Sequence, residues 1–400
     1  MSTPRRHPLS HRRGACSGSI SLLLLVILGT AACGSSVGAP GHVINPVVVS
    51  SSLATSIETP AGSWAVVPMG DLDQPLNTFW QLFFRPEGSS TWSDETSALA
   101  VATNGGLVLA PTGRSLAVGI RPSNLLEYSP LLLTSGSGRS WSPASPIAGL
   151  AGQPDSLAMG ADGAAVALTT GSGGQAVLES AEGLAGWREL TSVSKLLASP
   201  AGRSCDVLAL TAVNTSRAGV LIGGDCRKTG VSGLFSESPS GWLRVGPALP
   251  AALEHGLVDV LSLQPTAGGL CALLAVSDGP DTSLEAAWTS SGSTWIVSPV
   301  LDLGTEQVTS VGADGKSGLF VLATRSVSEV IEVLSGPGRA WSTLPDPPAG
   351  TQTLVFGATG KVDALSVDRT TFTDWSLPDS SGSWTRAQVI DVPIEFGSSS

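Results

Sequence analysis

Seven times along this chain a tryptophan follows a turn of small residues, and no other feature limits the fold as strongly. The residues are Trp92, Trp141, Trp187, Trp242, Trp295, Trp341 and Trp384. Their spacings are 49, 46, 55, 53, 46 and 43 residues, an average of about 49. The segments that lead into them read PEGSSTW, SGSGRSW, AEGLAGW, ESPSGW, SSGSTW, GPGRAW and DSSGSW. Each comes after a short apolar run, such as Pro130-Leu131-Leu132-Leu133 or Val330-Ile331-Glu332-Val333-Leu334. A period of this size marks a repeat architecture, whose units bury their faces only against one another.

A second mark recurs in register. Glycines stand between paired apolar runs at Gly62, Gly113, Gly163, Gly219, Gly268, Gly315 and Gly360. They precede the next repeat tryptophan by 30, 28, 24, 23, 27, 26 and 24 residues. Gly202 competes for the fourth place but would stretch that distance to 40. Glycine accepts the positive φ of a hairpin turn. Runs such as Ala164-Ala165-Val166-Ala167-Leu168 and Gly318-Leu319-Phe320-Val321-Leu322 are apolar on both faces, as strands between two neighbouring sheets must be. No long amphipathic helical period occurs. The expected fold is all-β: a seven-bladed β-propeller of four-stranded antiparallel blades over residues 47–396, with a disordered tail at 397–400. Six or eight blades stay open, because Val47-Val48-Val49 offers one more strand.

The turn-plus-tryptophan unit resembles the Asp-box (BNR) repeat, Ser-x-Asp-x-Gly-x-Thr-Trp, of the sialidase-like β-propeller superfamily. That repeat also occurs in sortilin-type receptors and photosystem assembly factors. The acid of the box appears at Glu87, Glu182, Glu237 and Asp379, and its glycine at Gly138, Gly292 and Gly338. The resemblance implies a structural role: the box ties the turn between the third and fourth strands and wedges its tryptophan against the adjoining sheet. It also suggests an enzymatic alternative, a sialidase-like glycoside hydrolase. That chemistry needs three arginines for a carboxylate, a tyrosine nucleophile with a glutamate base, and an acidic proton donor. Tyr128 is the only tyrosine, and Glu127 precedes it directly, so the two point to opposite faces of a strand. Phe84-Arg85-Pro86 is similar to the Phe-Arg-Ile-Pro mark of sialidases, but it lacks the Ile and falls at the wrong end of the strand.

Composition removes other classes. The chain holds 21 Lys+Arg against 32 Asp+Glu, a formal charge of −11. Nucleic acid has no basic surface to grip. With 4 histidines in 400 residues, two of them before residue 12, a histidine-rich metal centre is not expected, nor is any cofactor. There is no Gly-x-Ser-x-Gly elbow, Walker loop or Cys-x-x-Cys. Asp162-Gly163 and Asp314-Gly315 read as hairpin turns, with calcium binding the lesser alternative.

The N-terminus reads as an export signal over residues 1–32. Arg5, Arg6, Arg12 and Arg13 precede the apolar stretch Ile20 to Leu28, which is shorter than the about 20 residues that span a bilayer. Gly29-Thr30-Ala31-Ala32-Cys33 resembles a bacterial lipobox, with Thr30 where Leu or Val is commoner. The resemblance implies diacylglyceryl attachment at Cys33; the alternative is ordinary cleavage after Ala32. Residues 33–46, rich in Gly, Ser and Pro, then form a flexible tether. This predicts a membrane location on the extracytoplasmic side, held by the lipid anchor alone.

Export permits disulfides. Cys205 and Cys226 flank a hairpin that turns near Asn214-Thr215-Ser216-Arg217, so their midpoint pairs them across two strands. Cys271, inside Leu270-Cys271-Ala272-Leu273-Leu274, is expected to stay a buried thiol. A Cys226–Cys271 link would imply a different register.

In a propeller, the loops after the second and fourth strands of each blade share one face, where ligands usually bind. The repeat puts Arg121, Tyr128, Arg325, Asp368 and Arg369 there as candidate ligand contacts, with further polar groups at Asp71, Asp155, Arg227 and His255. The expectation is a monomeric, non-enzymatic binding or scaffold protein at the cell envelope that takes a protein or glycan ligand. In the enzymatic alternative, acids such as Asp71 or Asp368 would act as a pair about 5–10 Å apart across the channel.

Overall fold

The computed structural model describes residues 54–393, except 73–76, 100–102, 104, 114, 121–127, 130, 135–139, 144–149, 152, 161–162, 181–185, 217–218, 315, 326–327, 357–360 and 381. The signal, Cys33, the tether, the tail and Arg121 lie outside the described residues.

Seven antiparallel sheets follow one another along the chain, each with four strands in sequence order, and the fifth with one extra strand. The first runs Thr55–Thr59, Gly62–Gly70, Thr78–Pro86 and Ser93–Asp94. The last runs Thr351–Phe356, Val362–Asp368, Thr371–Leu377 and Thr385–Asp391. The fold is thus the expected seven-bladed propeller. A two-stranded ribbon, Tyr128–Ser129 with Leu150–Ala151, lies beside the second blade.

Both sequence marks fall where the repeat puts them among the described residues, outside which Gly315 and Gly360 lie. Each tryptophan stands at the start of an outer strand, as Trp141 begins Trp141–Pro143 and Trp341 begins Trp341–Thr343. Each packs into the interface with the blade before it: Trp341 joins the cluster of Leu273, Leu284 and Val321 between the fifth and sixth blades, and Trp384 joins that of Phe320, Leu354 and Leu377 between the sixth and seventh. The indole N–H of Trp341 donates to Pro299 O at 2.9 Å, and that of Trp384 to Pro345 O at 3.2 Å. Seven apolar clusters, one per interface, make up the core, so each sheet is buried on both faces and the strands carry few charges.

Gly219 turns the fourth blade's first hairpin at φ 107°, where a Cβ would be strained. The competing Gly202 lies in a helix. Two short helices, Val193–Ala198 and Pro200–Cys205, form the passage from the third blade to the fourth, with Ser192 and Ser199 as their N-caps. A Cβ on Gly202 would stand 2.1 Å from Leu196 O, so the glycine is needed for the two helices to pack.

Cys205 and Cys226 form the disulfide. The pairing is as expected, but the register is not. Cys205 ends the second helix, and the residue opposite Cys226 in the sheet is Val207. The bond therefore ties the helical passage to the second strand of the fourth blade, because the hairpin turns between Ser216 and Gly219, past the simple midpoint, and its two bulges recover only part of that offset. Cys271 is a buried free thiol, its pKa raised by burial.

Among the described residues the ring closes without a shared strand. Each blade is contiguous in sequence there, and the contacts between the seventh and first are made by side chains and loops. Near the axis, Ser56 Oγ donates to Leu354 O. Ser310 Oγ of the sixth blade donates to Ala54 O at 3.0 Å, drawing the start of the first strand toward that wall. Further out, Phe83 stacks on Phe372 with centroids 4.0 Å apart. Arg85 forms a buried ion pair with Asp363, donates to Ser63 Oγ at 3.3 Å and lies 4.7 Å from the Trp92 ring centroid. At the rim, the Gln388 amide accepts from Trp92 N at 2.7 Å and donates to Trp92 O at 3.0 Å. On the ligand-loop face, Gly70 N donates to Arg369 O at 2.8 Å.

Candidate functional site

The inner strands enclose a cavity of about 760 Å³ at the ring centre. It is walled by the first five blades, through segments such as Thr55–Ile57, Leu107–Leu109 and Ala209–Thr215. Only Val311 comes from the sixth. The lopsidedness follows from the first strand, which leans toward the sixth and seventh blades. Side chains lace neighbouring inner strands together. Thr211 Oγ1 donates to Val260 O at 2.6 Å, Asn214 Nδ2 donates to Leu263 O at 2.7 Å, and Ser156 Oγ accepts from Val213 N at 3.1 Å. These bonds satisfy backbone groups that a channel wall would otherwise leave open, and they fix its shape.

The polar end of the cavity lies on the face of the loops after the second and fourth strands. Asp155, Asp225 and Asp259 come there from the third, fourth and fifth blades. Asp155 accepts from Thr170 Oγ1, and Gln175 holds Leu210 through two bonds of 2.9 Å to its N and O. Asp225 and Asp259 are hydrogen-bonded to each other. Burial, then repulsion from Asp259 and the hydrogen bond to it, pushes Asp225 up to about 8. Burial also raises Asp259. Two carboxylates in contact cannot both ionise cheaply, so they hold one proton between them near neutral pH.

Of the residues singled out in sequence, Arg121 lies outside the described residues, and the others come from separate elements of the ring. Asp368 and Arg369 form the seventh blade's turn and are exposed, with Arg369 at φ 52°. Tyr128 lies in the two-stranded ribbon, and Arg325 ends the strand Leu319–Arg325 of the sixth blade. Asp71, Arg227 and His255 belong to the first blade, the fourth blade and the passage into the fifth. Asp225 and Asp259 were not singled out. Asp225 is next to a cysteine in an apolar strand and Asp259 lies near the start of another, so only the packing of the fourth blade on the fifth brings them together. Among the described residues no three His, Cys, Asp or Glu side chains converge as a metal site requires. No helix among them is long and apolar enough to cross a membrane.

These features define a seven-bladed β-propeller with a one-sided central cavity. No family model and no curated protein matches the chain. Solved structures do. A 6-phosphogluconolactonase candidate from Bacteroides uniformis is 11% identical, with 85% of this chain and 97% of that one covered, at a TM-score of 0.53. YCF48 from Cyanidioschyzon merolae is 13% identical, covering 80% and 94%, at 0.49. The β-propeller domain of the Trilobed protease from Pyrococcus furiosus is 8% identical, covering 84% and 98%, at 0.48. At these identities the likeness is one of fold alone.

Proposed function

We propose that the protein is an exported, lipid-anchored propeller that binds a polypeptide at the cell envelope and performs no chemistry of its own. The observation that carries this reading is the cavity: about 760 Å³, rigidly walled, apolar along its strands and acidic at its mouth. A side chain or extended segment fits such a space, and the acids favour a cationic group on it. The anchor rests on the lipobox resemblance at Cys33.

Photo-crosslinking tests the binding surface. A crosslinking residue at Asp155 is expected to capture an envelope partner, whereas one at the rim residue Ser240 captures none. Equal capture from both positions would discard the cavity as the site. Aryl glycoside hydrolysis lost in Asp259→Asn would instead establish an enzyme. A metabolic palmitate label on the wild type, absent from Cys33→Ala, tests the anchor.

A further inference from the structure

We infer that the seam between the seventh and first blades is a pH-sensitive latch, shut when Asp374 is protonated and loosened when it ionises, and that its release moves a wall of the central cavity. The seam is the one joint of the ring where the chain does not continue from blade to blade. Each of the other six joints is crossed by the connection that leads from one sheet into the next. Among the described residues, opening this joint breaks no covalent link and no strand pairing.

Its polar centre is short of positive charge. Asp363 and Asp374, from the seventh blade, are both 0% exposed. Glu58 faces them from the first blade's inner strand and Arg85 from its third. Lys361, half-buried, pairs with Asp363 at 2.9 Å. Trp92 adds an indole N–H near Asp374, the outer strand adds Gln388, and Arg386 on that strand is exposed. Three carboxyls thus meet two cations, and Asp363 is the one paired directly with both. Arg85, Lys361 and the Trp92 indole only partly offset the burial of Asp374, whose two oxygens are not among those with a geometric hydrogen bond in the described residues. Burial, followed by repulsion from Asp363, raises its pKa to about 6, and burial raises that of Glu58 as well.

The sign follows. An acid whose pKa is higher in the shut seam than in solvent binds its proton on closing. Closure is therefore strongest at low pH and weakens as pH rises through the window from 3.8 to about 6. The consequence reaches the cavity because Thr55, Ser56 and Ile57 line it and belong to the blade that the seam holds. Ser56 itself is bonded across the seam to Leu354.

Hydrogen exchange on the full chain at pH 5 and pH 8, corrected for intrinsic rates, tests the latch. The peptides covering 54–70 and 362–377 flank the seam, and 165–180, in the third blade, is the internal control. Moving Asp374 from about 6 to a solvated 3.8 predicts roughly tenfold faster exchange at pH 8 than at pH 5 in the seam peptides, with no such change in the control. Asp374→Asn, an isosteric neutral stand-in, is expected to remove the difference. Parallel change in seam and control peptides overturns the proposal, as does acceleration that persists in Asp374→Asn. The wild-type comparison decides the first point without any variant.

Discussion

Arg85 and Asp363, 278 residues apart in sequence, form a buried ion pair that joins the first blade of the ring to the last. Taking two charges out of water is costly, and their attraction repays it only while both are present. Arg85→Ala leaves Asp363 buried with Lys361 as its sole ionic partner. It is expected to cost about 3–5 kcal/mol in urea unfolding. The double variant Arg85→Met, Asp363→Leu should recover most of that loss.

Among the buried carboxyls with raised pKa values, three are moved furthest: Asp374 to about 6, Glu285 to about 7 and Asp225 to about 8, with burial the leading cause in each. The folded chain holds protons there that the unfolded chain gives up. Their contribution is therefore complete below about pH 4 and is lost as pH rises toward 8. Stability, and with it the melting temperature, should fall from pH 5 to pH 8, by roughly 1–4 kcal/mol for each group. Asp374→Asn and Glu285→Gln should each flatten the curve. A melting temperature that climbs with pH over this range would count against the buried, neutral carboxyls.

The Cys205–Cys226 bridge closes a short loop, 21 residues in sequence separation. Its reduction should lower stability by roughly 3 kcal/mol. Thiol labelling of the native chain should leave Cys271 untouched, because it is buried inside the fifth blade. Labelling in denaturant should recover one free thiol from these three cysteines until reductant is added.

Gly202→Ala tests the packing of the helical passage. The new Cβ meets Leu196 O at 2.1 Å, which the backbone must relieve by moving the two helices apart. A loss of about 1–3 kcal/mol is expected. Gly113→Ala, at φ 56° with open space around the new methyl, should cost less, about 1 kcal/mol.

The blades were legible in the sequence because their marks are local. A tryptophan after a small-residue turn and a glycine in a hairpin are each set by a few neighbouring residues, and the seven pairs agree in spacing. The Cys205–Cys226 pairing was legible for the same reason, although the bulges that shift its register were not. The seam and the cavity mouth depend on residues that meet only after the ring has closed. Arg85, within the segment similar to a sialidase mark, is a structural cation whose partner lies near the other end of the chain. Asp225 and Asp259 sit in ordinary strands of adjacent blades, and neither strand alone shows that they share a proton. The candidate loop residues, including Asp368 and Arg369, could be placed on a face by counting. Which of them approach the cavity depends on loop geometry that the repeat does not encode.

That no closing strand is shared among the described residues has a consequence for how such a ring can change over generations. Every sheet is a single uninterrupted piece of the gene, with its junctions in connecting loops. One unequal crossover between two such loops copies or removes an entire blade without splitting any sheet. What must then be repaired is the meeting of first and last, a matter of a few side chains such as Phe83, Arg85 and Gln388 rather than of the topology.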